Sequence, residues 1–202
     1  MTMTRNLLAS TLLATLMALG TAGCGSDDSA ERDMAELGAA NFSRSRNDEG
    51  QIVERYDSTG DGVADVLKYF EESSDPEDPS LTRRRLVKLE IDANGDGNIN
   101  VRRIFNEANT VRSEELDVDL DGKVDSILYF DGGKLTRKEL IEAESGRVGT
   151  TRHYSDGTLI RVEKDENADE RIDYWEFYEE GVLTRVGRDT DGDGQADTWQ
   201  AR

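Results

Sequence analysis

From residue 42 onward the chain falls into short segments of alternating apolar and polar residues, and the pattern restarts after each of a series of Asp/Gly-rich stretches. Segments such as Ser126-Ile-Leu-Tyr-Phe130 and Tyr174-Trp-Glu-Phe-Tyr178 carry aromatic and β-branched residues, the types that suit a pleated, half-buried surface. A turn follows each, Asp131-Gly-Gly133 or Glu179-Glu-Gly181, and then a second strand-like segment. Glycine in a short turn between two such runs predicts a β-hairpin. In the second strands Leu86, Lys88 and Glu90 stand two residues apart, as do Leu135, Arg137 and Glu139, and Leu159, Arg161 and Glu163. Residues two apart share a strand face, so the spacing predicts an apolar residue, a base and an acid in one row. Charges in such rows pair across strands for a few tenths of a kcal/mol each. The first repeat departs from this pattern, with Ile52 one place out of phase.

The stretches that separate the hairpins repeat one another. Five align without gaps: Asp57-Ser-Thr-Gly-Asp-Gly-Val-Ala-Asp65, Asp92-Ala-Asn-Gly-Asp-Gly-Asn-Ile-Asn100, Asp117-Val-Asp-Leu-Asp-Gly-Lys-Val-Asp125, Asp165-Glu-Asn-Ala-Asp-Glu-Arg-Ile-Asp173 and Asp189-Thr-Asp-Gly-Asp-Gly-Gln-Ala-Asp197. A sixth, decayed copy, Glu142-Ala-Glu-Ser-Gly-Arg-Val-Gly149, is one residue short. Their starts step by 35, 25, 25, 23 and 24 residues, and the long first step holds an insertion, Ser73-Ser-Asp-Pro-Glu-Asp-Pro-Ser80, expected as an exposed loop. A fixed period of this kind is the signature of a repeat architecture. The unit is strand, turn, strand, acidic loop. The predicted fold is therefore all-β: an antiparallel meander of about a dozen strands over 42–202, with acidic loops on one edge and Gly turns on the other. At about 4.8 Å per strand such an elongated single sheet, twisted or curled, would extend near 55 Å. Closure into a barrel is the open alternative. Hairpin repeats of the MORN type are similar in spacing, but their Gly-Tyr signature is absent.

The acidic stretches have the chemistry of cation loops. Ca²⁺ takes six to eight oxygens at 2.3–2.6 Å, and side chains at loop positions 1, 3 and 5 converge when glycine at position 6 turns the chain. The nine-residue segments resemble the calcium loops of EF-hands, dockerins and thrombospondin type 3 repeats. That resemblance implies the ligand sets Asp57, Thr59, Asp61 and Asp65; Asp92, Asn94, Asp96 and Asn100; Asp117, Asp119, Asp121 and Asp125; Asp165, Asn167, Asp169 and Asp173; and Asp189, Asp191, Asp193 and Asp197. The third and fifth sets are complete, with Gly122 and Gly194 at the turn, whereas Glu170 replaces the turn glycine in the fourth. The bidentate Glu at position 12 is absent from most copies, where Lys68, Arg103, Leu128 and Gln200 stand; only Glu176 matches. Few carboxylates imply weak binding, with Kd of roughly 10⁻⁴–10⁻³ M. Magnesium, which demands strict octahedral geometry, fits less well. The flanks are strand-like, so the resemblance implies the loop chemistry and not the helices of an EF-hand. The alternative is that Asp, Asn and Gly serve only as turn formers.

The N-terminus has a separate character. Arg5 is the only charge among the first 23 residues; an apolar run from Leu7 to Leu19 leads into Gly20-Thr21-Ala22-Gly23-Cys24. This reads as a signal peptide over 1–23, too short to span a bilayer, which takes about 20 apolar residues. Cys24, the only cysteine, excludes an internal disulfide. Its place after Ala22-Gly23 resembles a bacterial lipobox, with Thr21 where that family prefers Leu. The resemblance implies acylation of Cys24, and Gly25 in place of an inner-membrane retention Asp implies the outer membrane or cell surface. Residues 24–41 then form a lipidated tether, disordered or with a helical turn or two. Cleavage takes the 25 basic residues to 24 and leaves 44 acidic ones, a net charge near −20. Such a surface repels nucleic acid and anionic headgroups and attracts cations.

No catalytic constellation emerges. His153, the only histidine, occupies the repeat position of Tyr69, Ile104, Tyr129 and Phe177 and is expected as a packed-face substitute. Trp175 and Trp199 share the position of Leu67 and Ile127, a packing role. Arg83-Arg84-Arg85 is expected to be solvated. No Ser or Thr lies in a nucleophile-elbow motif, and a glycosidase-like carboxylate pair is explained more simply by the repeat. The expectation is a non-enzymatic, calcium-binding cell-envelope lipoprotein that works as a repeat scaffold or interaction module, anchored to a membrane by lipid, with an envelope or surface protein as partner and no nucleic acid. The alternatives are a metal-independent structural or adhesion module and a hidden envelope hydrolase.

Overall fold

The computed structural model describes residues 41–202; the signal segment 1–23, Cys24 and the tether up to residue 40 lie outside them. Thirteen strands follow in chain order: β1 (Phe42–Arg46), β2 (Ile52–Tyr56), β3 (Val66–Ser74), β4 (Thr82–Ile91), β5 (Val101–Phe105), β6 (Val111–Leu116), β7 (Ser126–Asp131), β8 (Lys134–Ile141), β9 (Val148–Ser155), β10 (Thr158–Lys164), β11 (Tyr174–Glu179), β12 (Val182–Arg188) and β13 (Thr198–Ala201). Each is hydrogen-bonded to its sequence neighbours in the order β1 to β13, one open antiparallel meander, and no helix occurs among the described residues. The chain divides into two compact units, up to Val101 and from Arg102.

Within each unit the acidic loops join an even strand to the next odd one, so they share one edge, and the tight turns share the other. In the second unit three turns have two residues, Gly132-Gly133, Asp156-Gly157 and Glu180-Gly181. Both residues of each have positive φ, between 48° and 82°, the mirror-image turn whose twist matches that of paired strands. Asp156 and Glu180 take this conformation without glycine's freedom; Gly follows at the second place each time.

The register corrects one sequence inference. Tyr129 pairs with Arg137, but Phe130 pairs with Leu135, leaving Thr136 as an extra residue. The same one-residue bulge recurs opposite Tyr69/Phe70, within Leu159/Arg161 and opposite Phe177/Tyr178. A bulge shifts the alternation by one, so Leu135 and Arg137 stand on opposite faces although they are two apart. Thr136 and Thr184 hold their bulges by donating Oγ1–H to the carbonyls of Tyr129 and Phe177, each at 3.1 Å.

Packing is thin and mixed with charge. Val53, Val87, Ile91 and Val101 are buried in the first unit, and Val162, Tyr174 and Val186 in the second. Between them run ion pairs with aromatic partners. Buried Glu54 accepts from Arg44 (2.6 Å), Arg84 (2.5 Å) and Tyr56 Oη (2.7 Å). One arrangement recurs in both units: Tyr69 Oη donates to Glu90 (2.6 Å) and Tyr129 Oη to Glu139 (3.0 Å), while His153 Nε2 meets Glu163 at 2.8 Å. His153 thus replaces a tyrosine hydroxyl, a polar role within the packed-face position. Lys88 and Arg137 cover the rings of Tyr69 and Tyr129 at 3.7 and 3.9 Å. The Arg83–Arg85 cluster is engaged throughout: Arg83 with Asp75 (2.5 Å), Arg84 with Glu54, and Arg85 with Glu71 (2.5 Å). The acidic insertion supplies Asp75, and the strands extend into it as far as Ser74 and Thr82, so only 75–81 form its tip.

Candidate metal centres

All five full-length loops close on the same two side chains, those of the first and ninth residues; the ninth is a carboxylate in four of them and the amide Asn100 in the second. The first-position Asp accepts main-chain N–H groups from inside its own loop. Asp57 takes Gly60 (2.6 Å) and Gly62 (2.9 Å), Asp92 takes Gly95 and Gly97 (both 2.7 Å), and Asp189 takes Gly192 (2.8 Å) and Gly194 (2.7 Å). Asp117 takes Gly122 at 3.0 Å and Asp165 takes Glu170 at 2.9 Å. These bonds need the sixth residue at positive φ, which Gly62 (89°), Gly122 (88°) and even Glu170 (74°) adopt. A side chain there is strained, so the fourth loop keeps the shape at a cost.

The ninth residue closes the other end. Asp65 Oδ2 accepts Ser58 N (2.5 Å), Ser58 Oγ (2.6 Å) and Thr59 N (2.9 Å). Asp125 Oδ2 takes Val118 N (2.5 Å), Asp173 Oδ2 takes Glu166 N (2.9 Å), and Asp197 Oδ2 takes both the N–H and hydroxyl of Thr190 (2.7 Å each). The hydroxyls of Ser58 and Thr190 are members of the site that ligand spacing alone had not singled out; a Ser or Thr at the second position is the signal. The fifth residue does something else: Asp61, Asp96, Asp121, Asp169 and Asp193 each accept the N–H two residues on.

In two loops this geometry gathers three carboxylates. Asp117, Asp119 and Asp125 present oxygens within 4.8 Å of one another, as do Asp189, Asp191 and Asp197. Oxygens facing each other across Ca²⁺ stand about twice the metal–oxygen distance apart, roughly 4.6–5.2 Å, so either group can hold one cation. The fifth-position Asp121 and Asp193 stand outside these groups. Position 3 is Thr59 in the first loop, Asn94 in the second and Asn167 in the fourth, so none of these brings a third carboxylate at that place. The first loop offers a different indication. Asp65 is only 3% exposed, and its Oδ1 is buried without a hydrogen-bond partner, while Oδ2 fixes the carboxylate in the loop. A desolvated carboxylate oxygen with no donor is costly, and a cation is the partner that its chemistry fits.

The decayed copy has lost this form. Glu142 turns onto Ser145 Oγ (2.9 Å) and packs against Gly149, where a Cβ would lie 2.6 Å from its Oε1.

In four loop carboxylates the surroundings favour the ionised form. Burial opposes the charge of Asp57, but the N–H groups of Gly60 and Gly62 outweigh it and hold its carboxyl below the ordinary carboxylate range. At Asp189 burial is likewise outweighed, by Gly194 and Gly192. Thr190 lowers Asp197, and the Asn98 N–H lowers Asp96. Metal ligands must be deprotonated, and these shifts favour that form.

Neighbouring loops are tied through the main chain. The Asp92 N–H donates to Asp65 O (2.8 Å), Asp165 N–H to Gly149 O (3.1 Å) and Asp189 N–H to Asp173 O (2.8 Å). The first residue of one loop thus rests on the last residue of the loop before it.

No protein-family model and no curated protein matches the sequence. Solved structures give distant likenesses. A mutant of S. aureus TarM in complex with Fondaparinux, alpha-GlcNAc-glycerol and UDP aligns over 75% of this chain and 27% of its own, at 16% identity and a TM-score of 0.39. TarM in a second structure aligns over 71% and 25%, at 17% identity and 0.36. The accessory secretory proteins 1, 2 and 3 of Streptococcus pneumoniae align over 62% and 19%, at 14% identity and 0.34. The chain spans about a quarter or less of the length of the structures to which it is similar.

Proposed function

We propose that this chain is a calcium-binding lipoprotein of the cell envelope, whose hairpin repeats form a scaffold stiffened by cations along the acidic edge of each unit. The observation that carries the reading is the convergence of Asp117, Asp119 and Asp125, repeated by Asp189, Asp191 and Asp197, with oxygens close enough for one calcium ion to span. The signal-like segment and Cys24 support export and lipid anchoring at the outer membrane or cell surface, with an envelope or surface protein as partner. No nucleophile–base pair emerges from the sequence, so the reading is a scaffold and not an enzyme. Calorimetric titration with calcium, repeated on Asp117→Asn, tests it: a saturable heat that shrinks in the variant supports the assignment, and absence of heat in the parent protein refutes it.

A specific observation favours a second reading, a metal-independent module. Both oxygens of Asp57, Asp92 and Asp189 already accept N–H groups from their own loops, so the turns are stable as turns. Identical melting curves in EDTA and in calcium would select it.

A further inference from the structure

We propose that the ninth side chain of each loop selects which loops take a cation, and that three do: 57–65, 117–125 and 189–197. This inference rests on the calcium reading and refines it. In every full-length loop one atom of the ninth side chain is committed to the N–H of the second residue. The other atom is left to set what the ninth side chain can offer a cation, and its chemistry differs from loop to loop.

In the first loop that atom is Asp65 Oδ1, a carboxylate oxygen buried without a partner. In the third and fifth, Asp125 and Asp197 contribute to the three-carboxylate groups. In the second loop the residue is Asn100. Its Oδ1 is spent on the Ala93 N–H at 2.7 Å, which fixes the orientation of the amide because that partner demands an acceptor. The remaining atom is Nδ2, a donor that cannot ligate a cation. In the fourth loop Asp173 Oδ1 already accepts from Asn167 Nδ2 at 3.1 Å, while Asn167 Oδ1 takes the Asp169 N–H at 2.9 Å. There the second carboxylate oxygen is already engaged by an amide donor. Surrounding charges are also met by arginines: Glu170 by Arg147 (2.9 Å) and Glu166 by Arg188 (3.0 Å). The decayed copy has Gly149 at its end and no side chain to offer. Three loops are open and three are closed.

The swaps needed for a test already occur among the sister loops, so each variant borrows a residue the fold accepts elsewhere. Calorimetric titration of the whole protein with calcium chloride reads the number of bound ions. The expected stoichiometry is three. Asp65→Asn, which gives the first loop the residue of Asn100, reduces it to two. Asn100→Asp and Asn167→Asp each raise it to four, and these gains cannot be explained by misfolding. A parent value of five, no loss in Asp65→Asn, or no gain in either Asn→Asp variant overturns the selection rule and leaves calcium binding standing. A parent value of zero overturns both.

Discussion

Calcium should raise the melting temperature in proportion to the number of ions that the folded protein holds. The perturbation is a change from 1 to 10 mM free calcium. For a site with Kd of about 0.1–1 mM, RT ln(1 + [L]/Kd) grows by roughly 1.0–1.3 kcal/mol over that interval. Three open loops give about 3–4 kcal/mol, and for a domain of this size about 2–4 °C follows each kcal/mol. Scanning calorimetry should therefore record a rise of roughly 6–16 °C between the two concentrations, above a baseline taken in EDTA. Magnesium at equal concentration controls for screening and should do much less, because it demands strict octahedral geometry. Ionic strength alone would move both salts together. Coincident calcium and magnesium curves, or a rise too small for even one ion, would refute the argument that the loop carboxylates form sites.

Three further outcomes are expected. Cys24→Ser should leave an uncleaved precursor, read by mass; normal cleavage and release would show an ordinary signal peptide. Ser126 is 2% exposed, its Oγ lacks a partner, and Leu116 and Leu140 flank it across the sheet; the repeat places Val66 and Val101 at this position, so Ser126→Val should stabilise by about 1–3 kcal/mol in chemical denaturation, and a loss would show that the hydroxyl has a role. At Glu54 burial favours the neutral acid, but Tyr56, Arg84 and Arg44 outweigh it and hold the pKa below the ordinary 4.5; because the folded pKa is the depressed one, its contribution is full above that value and fades as pH falls below it, so Glu54→Gln should cost about 1–3 kcal/mol at pH 7 and flatten the acid limb of the stability profile.

Much of the fold was legible in the sequence because each repeat states it again. The strand, Gly turn and acidic loop at a 23–25-residue step give the meander and put the loops of each unit on one edge. The faces were less legible. Thr136, Thr184 and their counterparts are ordinary strand residues, and nothing in their identity announces the extra place that turns Leu135 away from Arg137. The same limit applied to the arginines: Arg84 finds Glu54 only because β2, β3 and β4 pair in register.

The candidate site divides in the same way. Positions 1, 3 and 9 of the complete loops were evident from Asp117, Asp119 and Asp125, because spacing alone brings them near one another. Position 5 was also read as a ligand, and the sequence does not show that Oδ1 of Asp121 and of Asp193 accepts the N–H of Lys123 and of Gln195. The direction of an amide is also invisible in a sequence. Asn100 and Asn167 carry an oxygen and so look like ligands, and only their hydrogen-bond partners show that Asn100 Oδ1 accepts the Ala93 N–H and that Asn167 Nδ2 donates to Asp173.

The most direct test follows the loop glycines themselves. Gly62, Gly122 and Gly194 donate their N–H groups to Asp57, Asp117 and Asp189, so an ion drawing on those carboxylates must alter their amide resonances. In a calcium titration by NMR from EDTA to 10 mM, these three signals should move and saturate, while Gly132, Gly157 and Gly181 at the opposite turns stay still. Superimposable spectra across the whole range would contradict the account.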